Sequence, residues 1–318
     1  MTTCFSGAHF CDEAKNSRFK PHPVLMLLIF VGIFLGSQAA VSLPLIIAEV
    51  ALALKFGDPD RLSDPNYLAD EMLSNGIIGQ WSTLWQLLLT IIPAALVILF
   101  CRLTEKRSAA GMGFVKRNCV KYYFAGLAIG AAEFAATLGI SWLSGSATYE
   151  GMPGINVPVF ALICVGWLIQ GAEEEILCRG WFMTWLSARL PLWAAALINS
   201  AFFALLHIFN PGFNFIVFIN LTLFGVFMSV VMLRFDSLIP CCAIHSIWNL
   251  VQGCVFGLPV SGITALPTVW DFELAEGREL WTGGVFGLEG SICETIVLTV
   301  FTLLMIFKPK KADEIKEV

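Results

Sequence analysis

The chain has 318 residues, of which 57% are hydrophobic and 14% charged, and its mean hydropathy is +0.78. This composition is too apolar for a water-soluble domain, so we expect an integral membrane protein whose first partner is the lipid bilayer. The net charge is −5, and there is no basic stripe or Gly-rich phosphate loop, which argues against nucleic acid as a partner. The ten cysteines lie mostly in apolar stretches without the spacing of a disulfide scaffold.

Stretches of mostly apolar residues recur along the chain at the length of about 20 residues that spans a bilayer as a helix. We therefore expect an all-α fold class, a polytopic membrane protein of about eight transmembrane helices. The first stretch is too long for a cleavable signal peptide, so we expect it to remain as the first helix. The predicted helix cores are Val24–Ile46, Trp81–Leu103, Tyr122–Trp142, Val157–Leu177, Leu192–Ile208, Asn214–Leu233, Leu238–Phe256 and Ser291–Phe307.

These helices divide the chain into three predicted regions. Residues 1–156 hold a polar tail and helices one to three, residues 157–256 hold helices four to seven, and residues 257–318 hold an outside loop, helix eight and a basic tail. The middle region carries the unusual charges and is the predicted catalytic core.

The loop charges predict an orientation in the membrane. Basic residues occupy alternate loops, which face the cytoplasm by the positive-inside rule. We therefore expect both termini in the cytoplasm and the cell membrane as the location. The basic residues are Lys15, Arg18, Lys20, Arg102, Lys106, Arg107, Lys116, Arg117, Lys121, Lys308, Lys310 and Lys311, and the acidic residues of the other loops are Asp58, Asp60, Asp64, Asp70, Glu71, Asp271, Glu273, Glu276 and Glu279.

The fourth span contains three consecutive carboxylates, at positions 173 to 175, followed by Arg179. A central charge costs about 2.5–3.5 kcal/mol on insertion scales, so such groups usually face a cavity or each other. One interpretation ends the helix at Gln170 and leaves the acids in cytoplasmic solvent. The apolar helical pattern nevertheless continues past Arg179, and the first turn signals are Arg189 and Pro191.

A helix that continues to this turn has two consequences. Glu174 and His207 would both lie about 23–25 Å from the turn on antiparallel helices, and therefore at the same level. The fourth helix would also be about thirty residues long, so we expect it to tilt or to lay Trp181 and Trp185 along the membrane interface.

Two other predicted spans carry polar side chains at helical spacing. Phe203 and His207 are four residues apart, as are His245 and Asn249, so each pair shares one helix face. A single span histidine is more often structural, and Asn249 alone could join two helices by a hydrogen bond. Taken together, a carboxylate, two imidazoles and a carboxamide are the functional groups that a hydrolytic site typically contains.

The neighbouring acids Glu174 and Glu175 should have different roles, because successive helical residues point about 100° apart. Glu175 and Arg179 have the favoured spacing of a helical ion pair, which predicts a structural role. Glu174 has no cation on its own helix, and Gly171 is expected to leave open space beside it, which predicts a chemical role. Glu133 and Glu294 are solitary span acids that we leave outside the site.

Three ordered segments resemble the motifs Glu-Glu-x-x-x-Arg, Phe-x-x-x-His and His-x-x-x-Asn of the CPBP family, which comprises CAAX prenyl endopeptidases and bacteriocin-processing or immunity proteins. The resemblance covers about residues 157–256, and a weaker similarity to many bacterial members extends to Gly287–Ser291. The three segments are Glu174-Glu175-Ile176-Leu177-Cys178-Arg179, Phe203-Ala204-Leu205-Leu206-His207 and His245-Ser246-Ile247-Trp248-Asn249.

The resemblance implies hydrolysis of a peptide or membrane-protein substrate at or within the bilayer. It implies Glu174 as the base for a water that His207 also holds, and His245 with Asn249 would form the oxyanion hole. Glu175, Arg179 and Phe203 would support the site. No cofactor is expected, with zinc on His207, His245 and a glutamate as the alternative.

Three other interpretations stay open. The chain could be a non-catalytic scaffold or immunity protein of the same fold, or an ion-coupled transporter, for which intramembrane carboxylates are also ordinary. Cys4, His9 and Cys11 could form a separate metal cluster in the amino-terminal tail.

Overall fold

A computed structural model describes residues 9–56, 79–264 and 267–307 of the chain. These residues are mostly helical, and within them two strands pair in an antiparallel sheet. The helices are α1 (His9–Lys15), α2 (Pro23–Phe56), α3 (Gly79–Leu89), α4 (Ile91–Phe100), α5 (Cys119–Leu143), α6 (Val157–Glu175), α7 (Thr184–Ser187), α8 (Leu192–Leu206), α9 (Phe215–Phe235), α10 (Ile239–Leu250), α11 (Glu279–Thr282) and α12 (Ile292–Phe307), and the strands are β1 (Ala147–Gly151) and β2 (Asp271–Leu274).

The all-α, polytopic class is confirmed. Among the described residues, five helical stretches are long and apolar enough to cross a membrane, and three shorter apolar helices accompany them. Each of the eight overlaps one predicted core, while the number of spans and the three-region division stay predictions. The five are Pro23–Ala48, Trp81–Glu105, Cys119–Leu143, Val157–Ser187 and Phe215–Phe235, and the shorter three are Leu192–Leu206, Ile239–Val255 and Ile292–Phe307.

Local sequence signals set the ends of the helices around the core. The side chain of Asn156 accepts a hydrogen bond from the Val159 amide at the start of α6, and Asn214 caps α9 in the same way. Such caps satisfy backbone amides that have no partner inside the helix. Asp236 adopts a left-handed conformation after α9, which turns the chain into α10.

Glycines allow α10 to pack closely against its neighbours. A Cβ on Gly126 of α5 would lie 2.5 Å from the Pro240 carbonyl oxygen, and one on Gly130 would lie 2.8 Å from that of Ile244. Small residues are the usual means by which membrane helices approach each other. The backbone of α10 is therefore fixed against α5 over more than one turn.

The expectation that Trp181 and Trp185 lie along the membrane interface is wrong. Trp181 is fully buried and stacks on Phe30 with ring centroids 5.5 Å apart, and Trp185 is also buried. Trp181 lies in a π-helical stretch of the fourth predicted helix, Ile176–Met183, and Trp185 follows in α7. Both rings face the protein interior.

The described basic and acidic loops lie at opposite ends of the bundle. At the basic end the Arg18 amide donates to the Glu105 carbonyl (2.9 Å), and the Leu238 amide donates to that of Gly113 (2.8 Å). At the other end Arg278 donates to the Ser144 carbonyl (2.7 Å), beside the strand pair β1–β2. Which of these ends faces the cytoplasm stays a prediction.

One of the predicted loop charges is buried in the protein, and others lie in parts of the chain that the structure does not describe. Arg107 is buried, pairs with Glu105 at 3.1 Å and donates to the Thr184 hydroxyl, so it anchors the loop after α4 to the fourth span. Residues 58–71 with their acids, and Lys308, Lys310 and Lys311, lie outside the described residues.

The predicted orientation gives a first test. Lys116 at the basic end and Glu273 on β2 are both exposed. In intact cells, a membrane-impermeant maleimide should label Glu273→Cys and not Lys116→Cys, with the wild-type chain as the control for native cysteines. Labelling of Lys116→Cys from outside would contradict the orientation.

Candidate active site

The fourth span continues through the three acids, so the interpretation that ends it at Gln170 is wrong. Helix α6 runs to Glu175, and helical structure then continues to Ser187. Glu173 and Glu175 are buried, with 5% and 0% of their surface exposed, whereas the Glu174 side chain is 22% exposed. Of the three carboxylates, Glu174 is the one that reaches open space.

Glu174 faces two histidines from two other helices. Its Oε2 lies 4.0 Å from Nε2 of His207 and 3.6 Å from Nε2 of His245, and its Oε1 accepts a hydrogen bond from Gln170 (2.5 Å). Within the described residues, the buried Oε2 has no hydrogen-bond partner. The prediction that Glu174 and His207 lie at the same height along antiparallel helices is confirmed. The short turn at 188–191 joins the two helices and brings these residues side by side.

The partners of the two imidazoles define which ring nitrogen faces Glu174. Nδ1 of His207 lies 3.0 Å from the Phe203 carbonyl oxygen, and Nδ1 of His245 lies 2.9 Å from Oε1 of Glu175. A carbonyl or carboxylate oxygen only accepts, so we assign the proton of each neutral ring to Nδ1. Each Nε2 then presents a lone pair toward Oε2 of Glu174.

Glu175 links two helices through one oxygen. Its Oε1 lies 2.9 Å from Arg179 on the same span, as predicted, and 2.9 Å from His245 on α10. Both Glu175 and Arg179 are fully buried, and the Arg179 guanidinium lies 4.4 Å from the centre of the Phe203 ring. The sequence indicated the ion pair but not the contact with His245, which depends on the packing of α10.

Two expectations about the surroundings need correction. Gly171 does not leave open space beside Glu174, because a Cβ there would lie 2.6 Å from the Ser246 backbone nitrogen of α10. Gly171 instead allows α10 to approach α6. The Asn249 side chain lies next to the site, but its amide donates to Oε1 of Gln170 at 2.9 Å. Its role as an oxyanion donor stays a prediction.

An open cavity adjoins the two histidines. Its lining includes carboxylates that the sequence analysis had not assigned to the site. Glu294, left outside the site above, is one of them, whereas Glu133 is fully buried and is not among the described residues that line the cavity. The lining residues are Phe203, His207, Asn220, Leu221, Phe224, His245, Trp248, Asn249, Ser261, Glu289, Glu294 and Leu298.

Glu289 is a second carboxylate of this cavity, located in the loop before α12 and outside the predicted spans. Its Oε2 accepts hydrogen bonds from the Ser261 amide (2.9 Å) and hydroxyl (2.8 Å). Burial raises the pKa of Glu289 to about 7, and the two Ser261 hydrogen bonds oppose this rise. The weak similarity at Gly287–Ser291 was the signal in the sequence that marked this segment.

Within the described residues, no three His, Cys, Asp or Glu side chains come together as a metal-binding group. His9 of the suggested amino-terminal cluster bonds to Asp236 at 2.9 Å and to the Ala110 carbonyl, and Cys11 is buried. Cys4 lies outside the described residues.

Comparison with protein families found a match to part of the chain. Residues 156–251 match the family model described as type II CAAX prenyl endopeptidase Rce1-like. No curated protein and no solved structure matches the chain. The matched segment contains Glu174, His207, His245 and Asn249. Residues 156–251 are therefore similar to the Rce1-like CAAX prenyl endopeptidase family, which is consistent with the resemblance of the three motifs to the CPBP family.

Proposed function

We propose that the protein is an intramembrane endopeptidase that hydrolyses a peptide bond of a membrane-associated peptide or protein. The observation that carries the proposal is the position of Oε2 of Glu174, within 4.0 Å of Nε2 atoms from two other helices. A carboxylate and two imidazoles at the edge of a cavity are the groups that activate a water and transfer its proton. The family match supports a protease in general terms.

In the proposed mechanism, a water molecule binds between Glu174 and His207. Oε2 of Glu174 accepts its proton while the oxygen attacks the scissile carbonyl carbon. The proton then passes from Glu174 to Nε2 of His207, whose Nδ1 is held by the Phe203 carbonyl, and from Nε2 to the leaving amine as the C–N bond breaks. The fixed ring keeps Nε2 directed at the reacting atoms during both transfers.

The negative carbonyl oxygen of the tetrahedral intermediate needs hydrogen-bond donors. We propose that His245 donates from Nε2 in its protonated form, which the Glu175 carboxylate at Nδ1 stabilises. Asn249 would donate from its amide after exchanging the hydrogen bond to Gln170 for one to the substrate. Glu175 would thus be a positioning residue for His245 as well as the partner of Arg179.

The cavity receives Ser261 and Glu289 from the loops at the acidic end of the bundle. With the termini in the cytoplasm, that end faces away from the cytoplasm. We propose that substrate reaches the site from that side or laterally from the bilayer. The labelling of Lys116→Cys and Glu273→Cys tests this orientation directly.

Two other functions use the same residues differently. A scaffold or immunity protein of this fold would bind a partner without cleavage, although every residue of the three motifs is present. A transporter would use the carboxylates for ion movement driven by a pH gradient. The contacts of Glu174 with two histidines favour hydrolysis, since a scaffold has no need for convergent ring nitrogens.

Comparison of membrane proteomes tests the proposed activity. Cells that produce the wild type should contain new peptide termini in membrane proteins that cells with Glu174→Gln lack. The variant Glu279→Gln, whose side chain is exposed on α11, should give the wild-type set of termini. Identical termini in all three strains would favour the scaffold interpretation.

Variants of neighbouring residues should separate chemistry from stability. We expect Glu174→Gln to fold normally, bind substrate and lose cleavage, because the amide is a poor base. We expect Arg179→Ala to lower the free energy of unfolding by about 3–5 kcal/mol, because it leaves the Glu175 charge buried without its partner. Glu175→Gln should lower both stability and the cleavage rate, since Glu175 also holds His245.

Melting curves in detergent, recorded beside cleavage rates for the same preparations, decide these roles. Glu279→Gln serves as the matched control and should behave as the wild type in both measurements. Full cleavage by Glu174→Gln, or an Arg179→Ala variant that melts like the wild type, would reverse the assignment.

The zinc alternative predicts a different response to metal removal. For metal-free catalysis, we expect purified protein to contain no stoichiometric zinc and to keep its cleavage rate after exhaustive chelation. Elemental analysis and a chelation series measure both. Activity that disappears with chelator and returns with added zinc would establish the alternative, with His207 and His245 as ligands.

A further inference from the structure

His207 directly follows α8 as its C-terminal cap, where the chain leaves the regular backbone bonding of the helix. Its amide donates to the Ala204 carbonyl (3.2 Å), and its ring Nδ1 donates to the Phe203 carbonyl (3.0 Å). The last carbonyls of a helix lack amide donors within it, and helix ends fray. The position of this ring therefore depends on what holds the chain after α8.

The two residues that follow His207 are not anchored by burial. Ile208 is exposed, and Phe209 is 96% exposed. The next residue, Asn210, makes two bonds in opposite directions. Its backbone amide donates to the His207 carbonyl (2.9 Å), and its side-chain amide donates to the Ser261 carbonyl (3.0 Å). Asn210 therefore links the end of α8 to the loop after α10.

The turn at Ser261 has a strained backbone that its surroundings hold in place. Ser261 has a positive φ of 49°, which is uncommon for a residue with a side chain. Its amide and its hydroxyl both donate to Oε2 of Glu289, at 2.9 and 2.8 Å, and the next amide, of Gly262, donates to the Phe286 carbonyl (3.0 Å). Such a conformation persists only where neighbouring bonds fix it, and it often accompanies a functional site.

The acceptor of these bonds, Glu289, is itself fixed by its own loop. The Asn220 side chain donates to the carbonyl oxygens of Glu289 (2.8 Å) and Ser291 (2.7 Å). Gly287 has a positive φ of 99°, and a Cβ there would overlap the Pro259 carbonyl. Only glycine combines this backbone conformation with so close an approach. The Glu289 carboxyl group is therefore a rigid point to which the Ser261 turn is tied.

The loop after α8 packs backbone against backbone on both of the other loops. A Cβ on Gly212 would lie 2.7 Å from the Phe286 nitrogen, and a Cβ on Gly262 would lie 2.8 Å from the Pro211 carbonyl oxygen. There is no room for a side chain at either contact. The three loops therefore meet as one close-packed unit at the end of α8.

The bonds from Ser261 to Glu289 do not require the carboxyl group to be charged. Oε2 accepts them in the carboxylate, and it also accepts them in the acid when Oε1 carries the proton. A pKa of about 7, raised by burial, therefore leaves the tie in place on both sides of neutral pH. A glutamine at this position would offer an amide oxygen as the same kind of acceptor.

We propose that Asn210 and Glu289 are positioning residues for His207. Glu289 holds the Ser261 turn, the Ser261 carbonyl holds the Asn210 side chain, and Asn210 holds the end of α8. The consequence for the reaction rests on the proposed peptidase function. Nε2 of His207 is kept 4.0 Å from Oε2 of Glu174, where the proton is transferred, and a displacement of about 1 Å at such a site costs about a hundredfold in rate.

Nuclear magnetic resonance of the histidine rings tests the positioning without a substrate. The chain has four histidines, so ¹⁵N-labelled histidine gives few signals in detergent micelles, and His207→Gln identifies those of His207 by their loss. At a pH where the ring is neutral, we expect the wild type to show Nδ1 protonated and Nε2 unprotonated. Asn210→Ala and Glu289→Ala should move the two nitrogen shifts toward each other, because a ring released from the Phe203 carbonyl exchanges between tautomers.

Cleavage kinetics measure the consequence for the reaction. The probe is an internally quenched peptide, selected from a library because the wild type cleaves it in micelles. We expect Asn210→Ala to lower kcat by about tenfold to a hundredfold with little change in KM, since Asn210 is not among the described residues that line the cavity. Glu289→Gln should keep most of the wild-type kcat, because its amide oxygen accepts the same bonds, whereas Glu289→Ala should lose it.

Asn214→Ala is the matched control, because Asn214 lies in the same loop but caps α9 through the Ile216 and Val217 amides. Its loss should lower the melting temperature and leave the ring signals and kcat as in the wild type. Asn210 is only partly buried, so Asn210→Ala still tests the proposal if Glu289→Ala does not fold.

The outcomes separate the positioning from the peptidase function. Unchanged His207 signals in Asn210→Ala, or an equal fall of kcat in Asn214→Ala, would overturn the positioning proposal. A kcat in Glu289→Gln as low as in Glu289→Ala would overturn the part assigned to Glu289. Absence of cleavage by the wild type would contradict the peptidase function alone, because the ring signals decide the positioning separately.

Discussion

The Glu175 carboxylate accepts hydrogen bonds from Arg179 on its own span and from His245 on α10, and the rest of the site is arranged around this contact. A buried carboxylate is stable only when opposite charge and hydrogen bonds compensate for the lost water. That requirement fixes the distance between the fourth span and α10. It also fixes the ring of His245, because Nδ1 is engaged and Nε2 must point toward Glu174.

The consequence is a division of labour between adjacent residues. Glu175 is fully buried and its Oε1 is bonded to Arg179 and His245, whereas Glu174 is partly exposed and its Oε2 faces Nε2 of both histidines. One step of about 100° around the helix separates these two environments, which is the basis for the different roles that we propose for the two acids. The close approach of α10 at Gly171 strengthens this difference, since it brings His245 within reach of both carboxylates.

Two connecting loops add to the cavity wall that the helices form. The loop after α10 and the loop before α12 bring Ser261 and Glu289 to its wall, and Asn220 ties the second loop to α9. The family match ends at residue 251, so these loops lie beyond it. The matched segment contains the residues proposed to react, while the two loops outside it complete the wall of the same cavity.

Contacts within a single helix could be predicted from the sequence, because the helical repeat fixes them. Glu175 with Arg179 and Phe203 with His207 are four residues apart, and the ion pair and the ring contact at 4.9 Å both occur. The level of Glu174 and His207 also followed from counting, since the turn between their helices is short. Apolar stretches of bilayer length likewise predicted the helical, membrane-spanning class.

Contacts between helices were decided by the tertiary structure, because the rotation and sliding of one helix against another leave no periodic signal in one chain. Three features depend on the position of α10. They are the hydrogen bond between Glu175 and His245, the hydrogen bond from Asn249 to Gln170, and the close approach of Ser246 to Gly171. The same holds for Trp181, which the sequence placed at the membrane interface and packing placed against Phe30. Glu289 reaches the cavity through loop geometry, since 82 residues separate it from His207 in the chain (289 − 207) and only the fold brings the two to one wall.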